Sequence, residues 1–299
     1  MMTRALVLGG GGPVGIAWET GLAAGLFEMG VELGAADFIM GTSAGSAVGA
    51  QLALGRNPRD IAAGIRNQTS GHSQLARRDP VQNAPVADLT PLMGFMQKLY
   101  SGDGSAEAIR REIGEFALAA KTVGEEDFVA TFGRMVASAE WPSKRYLCTA
   151  VDTADGSFVT WDNDSGVPLG RAVASSCSVP GIYPPITING KRYMDGGMRS
   201  GTSADLAAGY GRVIVVSVRA GTEAQRRQNP MAEAGRKRLE NEMDAIRQAG
   251  GRVELIVPDE EAAATLGINL MDFRQREPAL DTGIRQGKAL AATLSSFWG

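Results

Sequence analysis

Residues 5–15 read ALVLGGGGPVG, an apolar run that leads into four consecutive glycines. The run Ala5 to Leu8 has the length and composition of a parallel strand that is buried on both faces. The glycines favour a tight turn, and an apolar pattern with helical spacing follows from about Ile16 to Met29. The order of strand, glycine turn and helix predicts the first unit of an α/β fold.

A second unit of the same kind lies about thirty residues further on, where residues 38–45 read FIMGTSAG. The pattern G-x-S-x-G between a strand and a helix is typical of a nucleophile elbow. The turn is so tight that side chains at Gly41 and Gly45 would clash, and the Ser43 hydroxyl would project above the sheet edge. The other interpretation is that Ser43 only caps a helix. The strand-turn-helix setting favours the nucleophile.

The rest of the chain alternates strands with helices, which predicts a three-layer α/β/α fold with a mostly parallel central sheet. We expect one domain over residues 1–299, with a loop-rich insertion at about 70–105. Within the insertion, the apolar segment Leu92–Met96 either covers the site, touches lipid or forms core beneath a loop. Asn189-Gly190, between two short β-like runs, predicts a hairpin with a type I′ turn.

The glycine loop allows two interpretations. Residues 10–15 formally fit the G-x-G-x-x-G fingerprint of dinucleotide-binding folds. That fingerprint requires an acidic residue at the end of the second strand. Glu32 and Asp37 both precede the strand, and Gly41-Thr42-Ser43 stands at its end. This mismatch favours a different role for the loop.

Consecutive glycines let several backbone N–H groups point at one position without side chains in the way. Beside the elbow, the amides of Gly10, Gly11 and Gly12 would stabilise the oxyanion of an acyl-transfer intermediate. We therefore predict an oxyanion hole at these three residues.

A serine nucleophile needs a base within hydrogen-bond reach, and the chain contains a single histidine, His72. In α/β-hydrolases the triad histidine follows the acid, whereas His72 precedes the later motifs and lies in a polar stretch. The sequence Met194-Asp195-Gly196-Gly197 follows a strand and offers Asp195 as the base. By itself it also fits an ordinary Asp-Gly turn. Partial burial would raise the pKa of Asp195 and make it a better base.

The composition limits the partners and the cofactors. A net charge of −3 argues against nucleic acid as the main partner. Cys148 and Cys177 lie far apart, and one histidine makes a Cys/His metal site improbable. The chain shows no apolar run of transmembrane length, and the run Ala5 to Leu8 is shorter than we expect for the apolar core of a secretory leader. These observations predict a cytoplasmic protein in a reducing compartment.

Taken together, these motifs resemble the patatin-like phospholipase family of serine lipid acyl hydrolases. The glycine loop, the elbow, a Pro-rich segment over residues 174–185 and the Asp195-Gly196-Gly197 turn occur in the family's order, over about residues 4–220. The family often has Arg or Lys where this chain has Val14, which leaves the headgroup preference open.

The resemblance implies a patatin-like fold and a phospholipase or carboxylesterase with a Ser43–Asp195 dyad. It implies a lipid or ester substrate, contact with a membrane surface, and no metal or organic cofactor. The alternative is a non-catalytic lipid- or dinucleotide-binding α/β module.

Overall fold

The computed structural model describes residues 3–69, 81, 88–102, 104–220 and 230–299. Within these residues the strands are β1 (Arg4–Leu8), β2 (Phe38–Gly41), β3 (Arg145–Asp152), β4 (Phe158–Trp161), β5 (Ile186–Ile188), β6 (Lys191–Asp195), β7 (Arg212–Val216) and β8 (Arg252–Ile256). The α-helices are α1 (Gly12–Glu28), α2 (Ala44–Ala53), α3 (Pro58–Thr69), α4 (Thr90–Ser101), α5 (Ala106–Ala119), α6 (Glu125–Val136), α7 (Leu169–Ser176), α8 (Pro230–Gln248), α9 (Glu260–Leu266) and α10 (Arg276–Trp298).

The described strands form one sheet in the order β5-β6-β3-β2-β1-β7-β8, with β4 paired to β3. The strands from β3 through β2, β1 and β7 to β8 are parallel. Strands β4 and β6 run antiparallel to β3, and β5 runs antiparallel to β6. The prediction of a mostly parallel sheet is confirmed. The order of strands reverses between β1 and β7, where open α/β sheets commonly bind ligands.

Alternate residues of the central strands pack into two separate cores. Leu6 and Leu8 of β1 join the larger core, with residues of α1, α2 and α10. Ala5 and Val7 point to the other face and pack into a smaller core with α8. Because successive side chains of a strand point to opposite faces, one helical layer covers each face. The predicted three-layer α/β/α architecture is confirmed.

Glycines bring the last helix into close contact with the first. A Cβ atom on Gly21 or Gly25 of α1 would lie 2.2 Å from a backbone oxygen of α10. The reverse holds for Gly283 and Gly287 of α10, where a Cβ would lie 2.3 and 2.4 Å from backbone oxygens of α1. The late part of the chain therefore packs directly on the helix that follows the glycine loop.

The insertion at about 70–105 differs in part from the predicted loop. Thr90–Ser101 forms helix α4, because Pro91 occupies the first turn and Gly102 ends the helix at φ 77°. Leu92 packs in a small core with Met194 and Met198, whereas Met93 is 60% exposed. Most of residues 70–87 lie outside the described residues. Among the described helices, we find none with the length and apolar composition needed to span a membrane.

Candidate active site

Ser43 lies at the turn between β2 and α2, directly above the carboxyl end of the sheet. Its backbone has φ 54° and ψ −120°, a conformation that side-chain-bearing residues rarely adopt. Such strain persists only where the surrounding structure enforces it, and it concentrates at functional sites. The residue is 7% exposed. The turn therefore has the strained geometry that the elbow pattern predicts.

The two elbow glycines are required by contacts with the backbone. A Cβ on Gly41 would lie 2.3 Å from the Gly45 carbonyl oxygen, and a Cβ on Gly45 would lie 2.1 Å from the Leu8 oxygen. Both distances are far below van der Waals contact, so only glycine fits at either position. The Gly45 amide also donates to the Gly9 oxygen at 2.9 Å, which joins the elbow to the glycine loop.

Strand register brings Asp195 to the elbow. Gly41 of β2 pairs with Cys148 of β3, and Asp195 of β6 pairs with Ala150, two residues further along β3. The Asp195 carboxyl lies beside the Ser43 side chain, close enough for the hydroxyl to lower its pKa. Its Oδ1 also accepts a bond from the Gly197 amide at 2.7 Å. The structure therefore brings together the two residues that the sequence analysis proposed as nucleophile and base.

The environment of Asp195 changes its acidity. The side chain is almost fully buried, and this burial raises the pKa of Asp195 from 3.8 to about 6. The Ser43 hydroxyl, the hydrogen bond from the Gly197 amide and the charge of Arg219 oppose the increase. A carboxyl with this pKa is ionised at neutral pH and is a stronger base than an exposed aspartate.

A glycine is also required directly after Asp195. A Cβ on Gly196 would lie 2.1 Å from Thr149 Oγ1. The first residues after the aspartate therefore pack tightly against β3, which holds the carboxyl at the end of its strand.

The glycine loop lies next to Ser43. A Cβ built on Gly10 would lie 3.3 Å from the Ser43 Cβ. The Gly10 amide donates to the Gly201 oxygen at 2.8 Å, so it is already engaged. No described residue accepts a hydrogen bond from the amides of Gly11 or Gly12, which stand at the N-terminus of α1. The Ala44 amide, first in α2, is likewise without an acceptor among the described residues.

Side chains from the Pro-rich segment hold the backbone of Ser43, a role that the sequence analysis did not predict. Ser176 Oγ accepts a bond from the Ser43 amide at 3.0 Å, and Cys177 Sγ donates to the Ser43 oxygen at 3.1 Å. Burial raises the pKa of the Cys177 thiol well above its usual range, so the thiol keeps its proton. The only sequence signal is a run of small polar residues, Ser175 to Ser178, before Pro180.

Glu19 is a second residue that the sequence analysis missed. It is a charged residue type on the apolar helix α1, and its side chain is fully buried. Burial raises the pKa of Glu19 well above its usual range. A carboxyl within the pattern Ile16-Ala17-Trp18-Glu19-Thr20 was the available signal.

Several other residues that bear on the site differ in burial and charge. Val14, which stands where the resembling family often has a cation, is fully buried. Arg219 is exposed and is the cation whose charge acts on Asp195. His72, whose place in the chain argues against its being the base, lies outside the described residues. Both cysteines are free and buried.

Comparison with known proteins places this site in a family. The model of the patatin-like phospholipase family matches residues 6–208, which include the glycine loop, the elbow and Asp195. The chain belongs to the patatin-like phospholipase family. The matched residues end before β7, so α8, β8 and α10 lie beyond the family match.

The individual proteins to which this chain is similar share little of its sequence. Lysophospholipase nte1 of Aspergillus niger is 27% identical over 226 residues, which cover 73% of this chain but only 12% of that protein. VipD of Legionella pneumophila has a TM-score of 0.45 at 15% identity, covering 98% of this chain and 67% of VipD. The type III effector ExoU has a TM-score of 0.35 at 15% identity, covering 96% of this chain and 53% of ExoU.

Proposed function

We propose that this protein is a serine lipid acyl hydrolase that cleaves carboxylic esters through a Ser43–Asp195 dyad. The observation that carries the proposal is that the Ser43 side chain lies beside a buried carboxyl of raised pKa, at a strained elbow. A hydroxyl is a weak nucleophile until a neighbouring base takes its proton. The membership in the patatin-like phospholipase family supports a lipid substrate.

The proposed reaction has two steps. Asp195 takes the proton of Ser43 as the hydroxyl oxygen attacks the ester carbonyl, and then gives it to the departing alcohol. Water attacks the resulting acyl-enzyme, and Asp195 takes one of its protons. The carboxylic acid leaves, and the proton returns to Ser43. Each step uses the same carboxyl first as a base and then as an acid.

The oxyanion hole that we propose differs in one donor from the hole that the sequence pattern predicts. The amides of Gly11 and Gly12 remain available, whereas the Gly10 amide donates to Gly201. The Ala44 amide offers a third donor, since the residue after an elbow nucleophile commonly contributes to the oxyanion hole. Both helix N-termini add a positive electrostatic potential there. Gly10 contributes by leaving room beside Ser43, because a methyl there would contact the serine Cβ.

A fluorophosphonate probe tests the proposal, because it reacts covalently with activated serines. The wild-type protein is expected to be labelled and to hydrolyse nitrophenyl esters, and labelling should disappear in Ser43→Ala. Deleting a nucleophile commonly costs on the order of 10⁴-fold or more in turnover. A panel of phospholipids and soluble esters then defines the preferred substrate. A folded wild-type protein that is neither labelled nor active would favour the non-catalytic binding module.

A further inference from the structure

Three consecutive residues are together hydrogen-bonded to the backbones of both members of the proposed dyad. Ser176 and Cys177 bind the amide and the carbonyl of Ser43, at 3.0 and 3.1 Å. The carbonyl of the next residue, Ser178, accepts a bond from the Asp195 amide at 3.0 Å. The segment 176–178 therefore bridges the nucleophile and the base, although it contributes to neither side chain's chemistry.

We propose that Ser176-Cys177-Ser178 is a positioning segment that holds Ser43 in its strained conformation and fixes its place relative to Asp195. The proposal rests on the proposed function, because it assigns these residues a role in the reaction of the dyad. It also gives a purpose to the Pro-rich segment, which supplies no residue of the proposed dyad or oxyanion hole.

The backbone of Ser43 needs such support. As the residue that caps α2, Ser43 has an amide without an acceptor inside the helix. Ser176 Oγ supplies that acceptor. On the other side, the Ser43 carbonyl accepts from both Cys177 Sγ and Ser46 Oγ, the latter at 2.6 Å. Both peptide groups that flank the strained φ and ψ angles are therefore fixed, and the direction of the Cα–Cβ bond that carries the hydroxyl is fixed with them.

The segment is itself rigid. Ser176 and Ser178 are fully buried, and Cys177 is 6% exposed. The Cys177 amide bonds to the carbonyl oxygens at the end of α7, and Ser178 Oγ donates to the Pro184 oxygen at 2.5 Å. Rigid neighbours are what a positioning role requires, since a flexible hydrogen-bond partner would follow the serine if it relaxed.

Ser176 is the residue to test, because the Ser43 carbonyl has a second side-chain donor in Ser46, whereas Ser176 is the one described acceptor for the Ser43 amide. Ser175 supplies a matched control on the same helix. It is also fully buried, and its hydroxyl accepts from Trp161 Nε1 at 3.0 Å and donates to the Ala172 oxygen at 2.7 Å. Among the described hydrogen bonds, none joins the Ser175 side chain to Ser43 or Asp195.

The experiment compares Ser176→Thr with Ser176→Val, two side chains of the same shape that differ in the hydroxyl. The readouts are the rate of fluorophosphonate labelling and the kcat and KM of ester hydrolysis. The Ser176→Thr protein should be labelled about 10- to 100-fold faster than the Ser176→Val protein, because a small misplacement of a reacting group lowers the reaction rate by such a factor. The loss should fall on kcat, with KM and the acid limb of the pH profile unchanged. Ser175→Ala should label close to the wild-type rate.

The outcomes separate this inference from the proposed function. An unlabelled wild-type protein refutes the dyad, and the positioning role falls with it. A labelled wild type with equal rates for Ser176→Thr and Ser176→Val refutes the positioning role alone. Equal losses in Ser175→Ala and Ser176→Ala also refute it, because the loss would then reflect a general defect of α7. If Ser176→Val does not fold, judged by circular dichroism, the comparison of these two alanine variants decides.

Discussion

The burial of Asp195 leads to a prediction for both activity and stability, because the raised pKa makes each of them depend on pH. Its pKa of about 6 means that this proposed base is ionised at pH 7 and protonated at pH 5. Below pH 6, kcat/KM should therefore fall about tenfold for each pH unit. Asp195→Asn should abolish hydrolysis at every pH, by on the order of 10⁴-fold, because an amide cannot take the proton of Ser43.

The same pKa predicts that this inactive variant is more stable than the wild type. In the unfolded chain Asp195 ionises near pH 3.8, whereas in the folded protein it ionises near 6. Ionisation therefore favours the unfolded chain as the pH rises through this range. The difference of about two pH units corresponds to about 3 kcal/mol of lost unfolding free energy above pH 6, and to none below pH 3.8. Asparagine does not ionise, so the variant avoids this loss.

The measurement is urea unfolding of both proteins at pH 4, 5, 6 and 7. The unfolding free energy of Asp195→Asn relative to wild type should increase with pH, by up to about 3 kcal/mol, less whatever the amide loses in hydrogen bonding. His72→Ala is the matched control, because an imidazole titrates near pH 6.5 and its limb would resemble that of Asp195. The His72→Ala variant should keep the activity, the acid limb and the stability of the wild type.

Two results would refute the reasoning. A relative stability of Asp195→Asn that does not change between pH 4 and 7 would show that the carboxyl is not shifted by burial. Loss of the acid limb in His72→Ala, beside an active Asp195→Asn, would transfer the role of the base to the histidine.

The strain, the second buried carboxyl and the nearby cation give three further predictions. Ser43→Gly should be about 1 kcal/mol more stable to urea than Ser43→Ala, because relief of about 1–3 kcal/mol of backbone strain exceeds the entropic penalty of glycine; a more stable alanine variant would contradict the strain. In unfolding experiments, the free energy of unfolding of Glu19→Gln relative to wild type should increase by about 1.4 kcal/mol per pH unit above pH 4.5, until the pH reaches the raised pKa of Glu19. A difference that does not depend on pH would exclude a buried carboxyl that titrates. Arg219→Gln should move the acid limb of kcat/KM above pH 6, because the arginine charge lowers the pKa of Asp195; a downward shift would contradict this.

Much of the fold could be predicted from the sequence, because its signals are local. The buried strands are short apolar runs, and the helices carry apolar periodicity with glycine and proline at their ends. Asn189 and Gly190 both have positive φ, at 51° and 78°, as the predicted type I′ turn requires. The insertion was less predictable, since Pro91 and Gly102 mark helix ends as well as loops.

Ser43 is the part of the site that local sequence defines most completely. The elbow consists of five adjacent residues with a glycine at each end. Both ends must be glycine, because a side chain at Gly41 would clash with the backbone of Gly45, and one at Gly45 would clash with the backbone of Leu8. A strained turn of this kind leaves its signature in the residues that form it. Asp195 has no such local signature in the sequence. It is predicted as the base because the chain lacks a suitable histidine and because its motifs resemble those of a known family.

The tertiary structure alone decided which of these groups meet and what state they are in. The pairing of Gly41 and Asp195 with the same strand brings the two residues of the proposed dyad together across a long stretch of chain. No motif predicts that the Gly10 amide donates to the Gly201 oxygen, or that Ser176 and Cys177 are hydrogen-bonded to the backbone of Ser43. Burial in the folded protein also raises the pKa of Asp195 to about 6. Register, burial and hydrogen-bond partners arise from contacts between distant segments, so residue types and their spacing along the chain could not determine them.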